Sequence, residues 1–241
     1  AFRGRSRPSA GDQTSSPCWK HLLVTSPNGP VGTEYRCKRA GFQAKPDMDR
    51  GSETVKTGIV MHRLFVALRP PAPIRAQLLS IMDGIPGARW QDDEQLHITL
   101  RFIGEVDTPV AEDVAAALSA ITAPPLTLRI DGVGRFGKQG GHAVWAGIAP
   151  HEAIAALHRK VDHALVRAGL PSEGRAYLPH VTLARLSGGA DPEGFLAVHA
   201  ALASEPFEVA HFGLYERHLA RGGARYEAIA RWPLTAFPDG S

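Results

Sequence analysis

From residue 61 onward, apolar and polar positions alternate between strand-like and helix-like stretches. His62 to Leu68 (H-R-L-F-V-A-L) has strand character and is stopped by Pro70-Pro71. Residues 73–83 place Ile74, Leu78, Leu79 and Met82 at helical spacing, and Gly84 to Gly87 breaks the pattern. A strand is expected at Leu96 to Ile103. The helix expected from Pro109 to Ile121 has proline in its first turn and Glu112-Asp113 near the positive end of its dipole. Leu126 to Phe136 and His142 to Ile148 then form a hairpin around Gly137 to Gly141, a glycine-rich turn without the lysine of a phosphate-binding loop.

The second half repeats this order. Residues 151–168 form the longest helix, ended by Gly169 and Pro171. Tyr177 to Leu186 is a strand, 193–203 a helix, and Phe207 to Leu219 with Tyr226 to Leu234 a second hairpin around Ala220 to Gly223. The residues of the two halves differ, but the order of elements recurs. The pattern predicts an α+β, bilobal fold of two pseudo-duplicated lobes, with mostly antiparallel sheets, flanking helices and an active cleft between them.

Charge separates the first 60 residues from the rest. They hold 10 Lys/Arg and 5 Asp/Glu, a net +5, whereas the remaining 181 residues hold 17 and 19, a net −2. The patterned part is therefore not a surface that coats nucleic acid, and any nucleic acid it binds is met at a local site. Residues 1–60 are rich in Ser, Gly, Pro, Arg and Lys, without sustained periodicity. They are expected to be a disordered or non-native extension, with a transit peptide as the functional alternative, and Met61 reads as a natural start. The domain is expected at 61–241. Cys18 and Cys37 both fall in the extension, so no cysteine nucleophile or thiolate metal site is available beyond it. A cytoplasmic location is expected, and no apolar run is long enough to span a membrane.

Two short strings stand out, L-H-I-T-L at Leu96 to Leu100 and P-H-V-T-L at Pro179 to Leu183. Side chains alternate along a strand, so His97 and Thr99 share one face and His180 and Thr182 another. If the two strands face one cleft, two imidazoles and two hydroxyls converge there. Imidazole titrates near neutrality and suits proton transfer in both directions, while threonine hydroxyls can donate to phosphate oxygens. Such a site can hold a phosphate and move two protons around it, one removed and one supplied. The residues alone do not say which histidine does which.

This pair of motifs resembles the tandem signature of the two-histidine phosphoesterase superfamily. The strand L-F-V-A-L at 64–68 and the contexts L-H-I-T-L-R-F-I-G-E-V and P-H-V-T-L-A-R are similar to the bacterial RNA 2′,3′-cyclic phosphodiesterases, also called 2′–5′ RNA ligases. The resemblance covers roughly residues 61–237. It implies a bilobal α+β fold and metal-independent hydrolysis of RNA or nucleotide 2′,3′-cyclic phosphates to 2′-phosphomonoesters, with no cofactor. It also implies His97 as proton donor and His180 as proton acceptor, with Thr99, Thr182 and Arg185 binding phosphate. The expected partners are RNA ends or cyclic nucleotides as substrate, with no membrane, no obligate protein partner and a monomeric state. Ligation of 2′,5′ linkages in the same site and a non-catalytic nucleotide-binding module are the alternatives.

Arg185, two residues past the second motif, is expected on the His180 face, where it can hold phosphate or stack on a base. Counting by twos from His97 also brings Arg101 to the cleft rim. Phe65, Trp90, Phe102, Trp145 and Tyr177 are the aromatic candidates for base contact. The other histidines, including His62, His142, His151, His158, His163, His199, His211 and His218, lack metal-ligand spacing and read as surface or packing residues.

Overall fold

A computed structural model describes residues 60–137, 143–187, 189–220 and 223–235. The expected N-terminal extension up to residue 59 and the tip of the first hairpin, including His142, lie outside the described residues. Nine strands and four helices follow one another as β1 (Met61–Leu68), α1 (Ala72–Ser80), β2 (Ala88–Trp90), β3 (Ile98–Asp107), α2 (Thr108–Ser119), β4 (Leu126–Phe136), β5 (Ala143–Ala149), α3 (His151–Arg167), β6 (His180–Leu186), α4 (Glu193–Val198), β7 (Phe207–Val209), β8 (His211–Ala220) and β9 (Gly223–Pro233). The expected helix at 193–203 is shorter, because the chain turns after Val198. The three-residue strand β2 has no clear alternation and was not legible in the sequence. Among the described residues no helix is long and apolar enough to cross a membrane.

The strands form one sheet in the order β7-β4-β5-β6-β3-β1-β8-β9, with β2 also on β6, and every pairing is antiparallel. The two motif strands lie side by side at its centre and are joined at Ile98↔Val181. The α+β architecture is the expected one, with an exchange inside it. The hairpin β4–β5, from the first half, pairs with the second motif strand, while β8–β9, from the second half, pairs with β1 beside the first. Each lobe is thus built from both halves of the chain.

One face of the sheet carries the core. Leu64, Val66 and Leu68 of β1 are almost fully buried, and so are Ile98, Val181 and Leu183 of the motif strands. Helix α3 adds Ile154, Leu157, Val161 and Leu165, spaced as one helical face. Each such side chain contributes about 1.5–3 kcal/mol by leaving water. The opposite face of β1 carries Phe65 and Ala67, which form a smaller cluster with Tyr215 and Tyr226. That second face bears the histidines.

Both motif strands are bulged at the same place. Along β1–β3, Ala67 pairs with Thr99 and Val66 with Arg101, leaving Leu100 as an extra residue. Along β5–β6, Trp145 pairs with Thr182 and Val144 with Ala184, leaving Leu183 extra. A bulge inserts one residue and reverses the inside–outside phase beyond it.

Candidate active site

The histidine pair sits where the two halves of the sheet meet. Antiparallel continuation from Ile98↔Val181 sets His97 across from Thr182 and Thr99 across from His180. All four side chains are half-buried on the face away from the helices. Each ring is held alike: His97 Nδ1 donates to the Gln95 carbonyl at 2.7 Å, and His180 Nδ1 to the Leu178 carbonyl at 2.7 Å. A carbonyl only accepts, so the proton of each neutral ring resides on Nδ1 and the lone pair on Nε2.

The segment that carries His97 is braced by charge. A 3-10 turn over Asp93–Gln95 precedes it, closed by a capping box between Asp92 and Gln95. Asp93 is gripped by Arg69 and Arg75, each at 2.8 Å, and the Arg75 hydrogen bond holds its carboxyl below the usual range. The Gln95 side chain donates to the Ala224 carbonyl of β9 at 2.6 Å. The carbonyl that orients His97 therefore belongs to a residue tied on both sides.

Aromatic rings flank both histidines in matching pairs. His97 lies 4.9 Å from the Phe65 ring and 5.2 Å from Tyr226, measured between centroids. His180 lies 4.8 Å from Phe136 and 6.2 Å from Trp145. Phe65 and Trp145 come from the strands next to the two motif strands, β1 and β5, whereas Phe136 and Tyr226 come from the outer hairpin strands β4 and β9. Burial among these rings lowers both imidazoles, His97 to about 4, and the Arg185 charge lowers both further. His180 and Arg69 also act on His97 through charge. In the free protein both histidines are therefore neutral at pH 7.

The bulges decide which neighbours join them. Strict alternation would send Arg185 to the face opposite His180, since five residues separate them. The extra residue Leu183 restores it to the histidine face, where it is exposed and its charge reaches both rings. The equivalent bulge at Leu100 does the reverse to Arg101. The expectation that Arg101 reaches the rim is overturned: it is 8% exposed and points toward α3. There it pairs with Asp162 at 2.8 Å and Glu173 at 3.3 Å and donates to the Pro171 and Phe102 carbonyls. Phe102, next along β3, takes the groove position and is 59% exposed. Phe102 and Arg185 are thus equivalent in the two motifs.

Of the other aromatic candidates, Phe65 and Trp145 line the histidine face. Trp90 packs on Phe195, 5.5 Å away. Tyr177 is stacked on His158 at 4.1 Å behind the sheet, and its hydroxyl donates to the Thr99 carbonyl at 3.1 Å. His158 Nδ1 donates to the Leu100 carbonyl at 2.7 Å. These two side chains satisfy carbonyls at the β3 bulge, so His158 is a packing residue, as expected. His62 is likewise buried, between Glu216 and Thr108. Sequence reasoning missed Phe136, Tyr226 and Arg69, because nothing local shows which hairpin lies beside which motif.

A family model for the 2′-5′ RNA ligase superfamily matches residues 64–221, which span both motifs. The chain belongs to this superfamily. An RNA 2′,3′-cyclic phosphodiesterase of Geobacillus stearothermophilus is 32% identical over 162 residues, covering 65% of this chain and 51% of that protein. The chain thus spans about half of this relative. It spans 97% of an Escherichia coli RNA 2′,3′-cyclic phosphodiesterase, which is 30% identical over 180 residues, or 72% of this chain. The crystal structure of E. coli LigT complexed with 3′-AMP superposes with a TM-score of 0.63 at 28% identity, covering 73% of this chain and all of that one. The antiparallel sheet flanked by helices is the architecture that the chain shares with LigT.

Proposed function

We propose that the groove hydrolyses RNA or nucleotide 2′,3′-cyclic phosphates to 2′-phosphomonoesters, with His180 as proton acceptor and His97 as proton donor. The observation that carries this reading is the matched tethering of the two rings. Each is locked through Nδ1 to a backbone carbonyl two residues back, leaving Nε2 as the proton-transfer atom. The similarity to proteins named RNA 2′,3′-cyclic phosphodiesterase supports the same substrate class.

In this reading the cyclic phosphate lies between the rings. His180 Nε2 takes a proton from water as the water oxygen bonds to phosphorus. The bond from phosphorus to the 3′ oxygen breaks in line, and that oxygen takes the proton from His97 Nε2. The phosphate stays on the 2′ oxygen, and the proton taken by His180 is exchanged with solvent afterwards. The assignment of the two roles rests on the family resemblance, because the surroundings of the two rings are too similar to orient the pair. Burial keeps both rings neutral in the free enzyme, and the bound phosphate anion raises them again, so the donor acquires its proton with substrate.

Thr99 and Thr182, each across from the other strand's histidine, donate to the non-bridging oxygens, and Arg185 holds the phosphate charge. Exposed Phe102, on the opposite wall, offers a face to the base.

The test is product identity. RNA ending in a 2′,3′-cyclic phosphate is incubated with the protein and a chelator, without ATP. The product is then treated with a 3′-specific or a 2′-tolerant phosphatase. A phosphate removed only by the second supports the reading, whereas a 3′-phosphate or a strict metal requirement sinks it.

A further inference from the structure

Beside the His97 end of the groove lies a cavity of about 610 Å³, walled by Arg69, Arg75, Arg231, His211, Tyr215 and Glu208 among others. We propose that it receives the phosphodiester joining the reacting nucleotide to the rest of an RNA strand, so that the preferred substrate is an RNA end rather than a free cyclic mononucleotide. This rests on the function proposed above and adds a second anion site to it.

The cavity adjoins the histidine face through shared rings. Tyr215 forms part of its wall and stacks on Phe65 with centroids 5.4 Å apart and planes at 18°. Phe65 in turn packs against His97. Arg69 is felt electrostatically by both His97 and Tyr215, as expected of a cation between site and cavity. The cavity volume is of the size that holds a small ligand.

Its charge is local and directed. The chain from residue 61 onward is net negative, yet three guanidiniums meet one carboxylate, Glu208, around this cavity. Arg69 and Arg75 are fixed by Asp93 and so are held in place without being free to collapse onto each other. Bracing the turn before His97 accounts for those two, but not for the third. Arg231 is exposed and forms no ion pair with a carboxylate among the described residues, and its charge acts on the Tyr215 hydroxyl within the cavity wall. A planar fork beside a partly neutralised pair suits a phosphodiester monoanion. In an RNA end such a group lies one ribose from the cyclic phosphate, and in a free cyclic mononucleotide it is missing.

The experiment compares kcat/KM of the full chain on 2′,3′-cyclic AMP and on a short oligoribonucleotide ending in a 2′,3′-cyclic phosphate. Wild type is expected to favour the oligonucleotide. Arg231→Ala should lose roughly tenfold on the oligonucleotide, the scale of one charge-assisted contact, and leave the mononucleotide unchanged. Arg231→Lys should recover part of the loss. An oligonucleotide with a neutral methylphosphonate at its last linkage should behave with wild type as the natural one does with Arg231→Ala. Equal effects on both substrates, no effect on either, or indifference to the neutral linkage overturns the proposal. If wild type turns over neither substrate, the proposed function fails separately. The cavity is then judged by fluorescence anisotropy of a labelled oligonucleotide ending in a 2′-phosphate. Binding weakened by Arg231→Ala, with a shallower salt dependence, supports it, and unchanged binding overturns it.

Discussion

Leu100 and Leu183 are the fourth residues of the two His-x-Thr-Leu motifs, and each is the extra residue of a β-bulge. Because both bulges reverse the side-chain phase, the residue three past each threonine faces the groove and the one before it faces the helices. Phe102 and Arg185 occupy the first of these positions, Arg101 and Ala184 the second. The bulges thereby convert two similar strands into a groove with an aromatic wall and a cationic wall.

Two arginines near the motifs should therefore behave in opposite ways. Arg101→Met leaves Asp162 and Glu173 without their buried cation and is expected to cost about 3–5 kcal/mol of stability. Arg185→Met, at an exposed position, should change stability by no more than about 0.5 kcal/mol while raising KM and lowering kcat. Urea midpoints and steady-state kinetics on a cyclic-phosphate RNA separate the two; a stable Arg101→Met with a rim-type kinetic defect contradicts the assignment.

Gly134 lies under the indole of Trp145. A Cβ added there would collide with Trp145 Cζ2, so the ring beside His180 has to move. Gly134→Ala is expected to cost about 1–3 kcal/mol by overpacking, to shift tryptophan fluorescence and to lower turnover. Wild-type fluorescence and turnover in the variant would show that the Trp145 position is immaterial.

Burial lowers His97 to about 4, whereas the unfolded chain titrates it near 6.5. Between these values the unfolded state binds more protons, so the stability present above pH 6.5 is lost as pH falls toward 4. The loss due to this residue is about 3 kcal/mol. His97→Gln should lose correspondingly less stability across the same window, measured by denaturant unfolding at each pH. Parallel stability curves for the two proteins would place His97 in a more watery setting than the fold gives it.

Much of this was legible before the fold. His97, Thr99, His180 and Thr182 stood out because period-two alternation and the recurrence of one motif are local signals. The helices at 108–119 and 151–167 followed from apolar spacing and from proline and glycine at their ends. What was hidden depends on pairing between distant strands. No local feature of the chain says that β4–β5 lies beside β6 or that β8–β9 lies beside β1, so Phe136, Tyr226 and Arg69 could not be linked to the histidines. The bulges are also invisible to alternation: simple counting placed Arg101 on the rim, and Arg185 reaches the groove only because Leu183 is an extra residue.

The most direct test of the two-histidine account is single-turnover cleavage of a cyclic-phosphate-terminated RNA by His97→Ala and His180→Ala, with circular dichroism to verify the fold. Loss of a positioned general acid or base typically lowers the rate by about 10²–10⁴-fold. Each variant is predicted to stay folded and fall by at least the lower figure. A folded variant of either residue that retains a near wild-type rate would contradict the account.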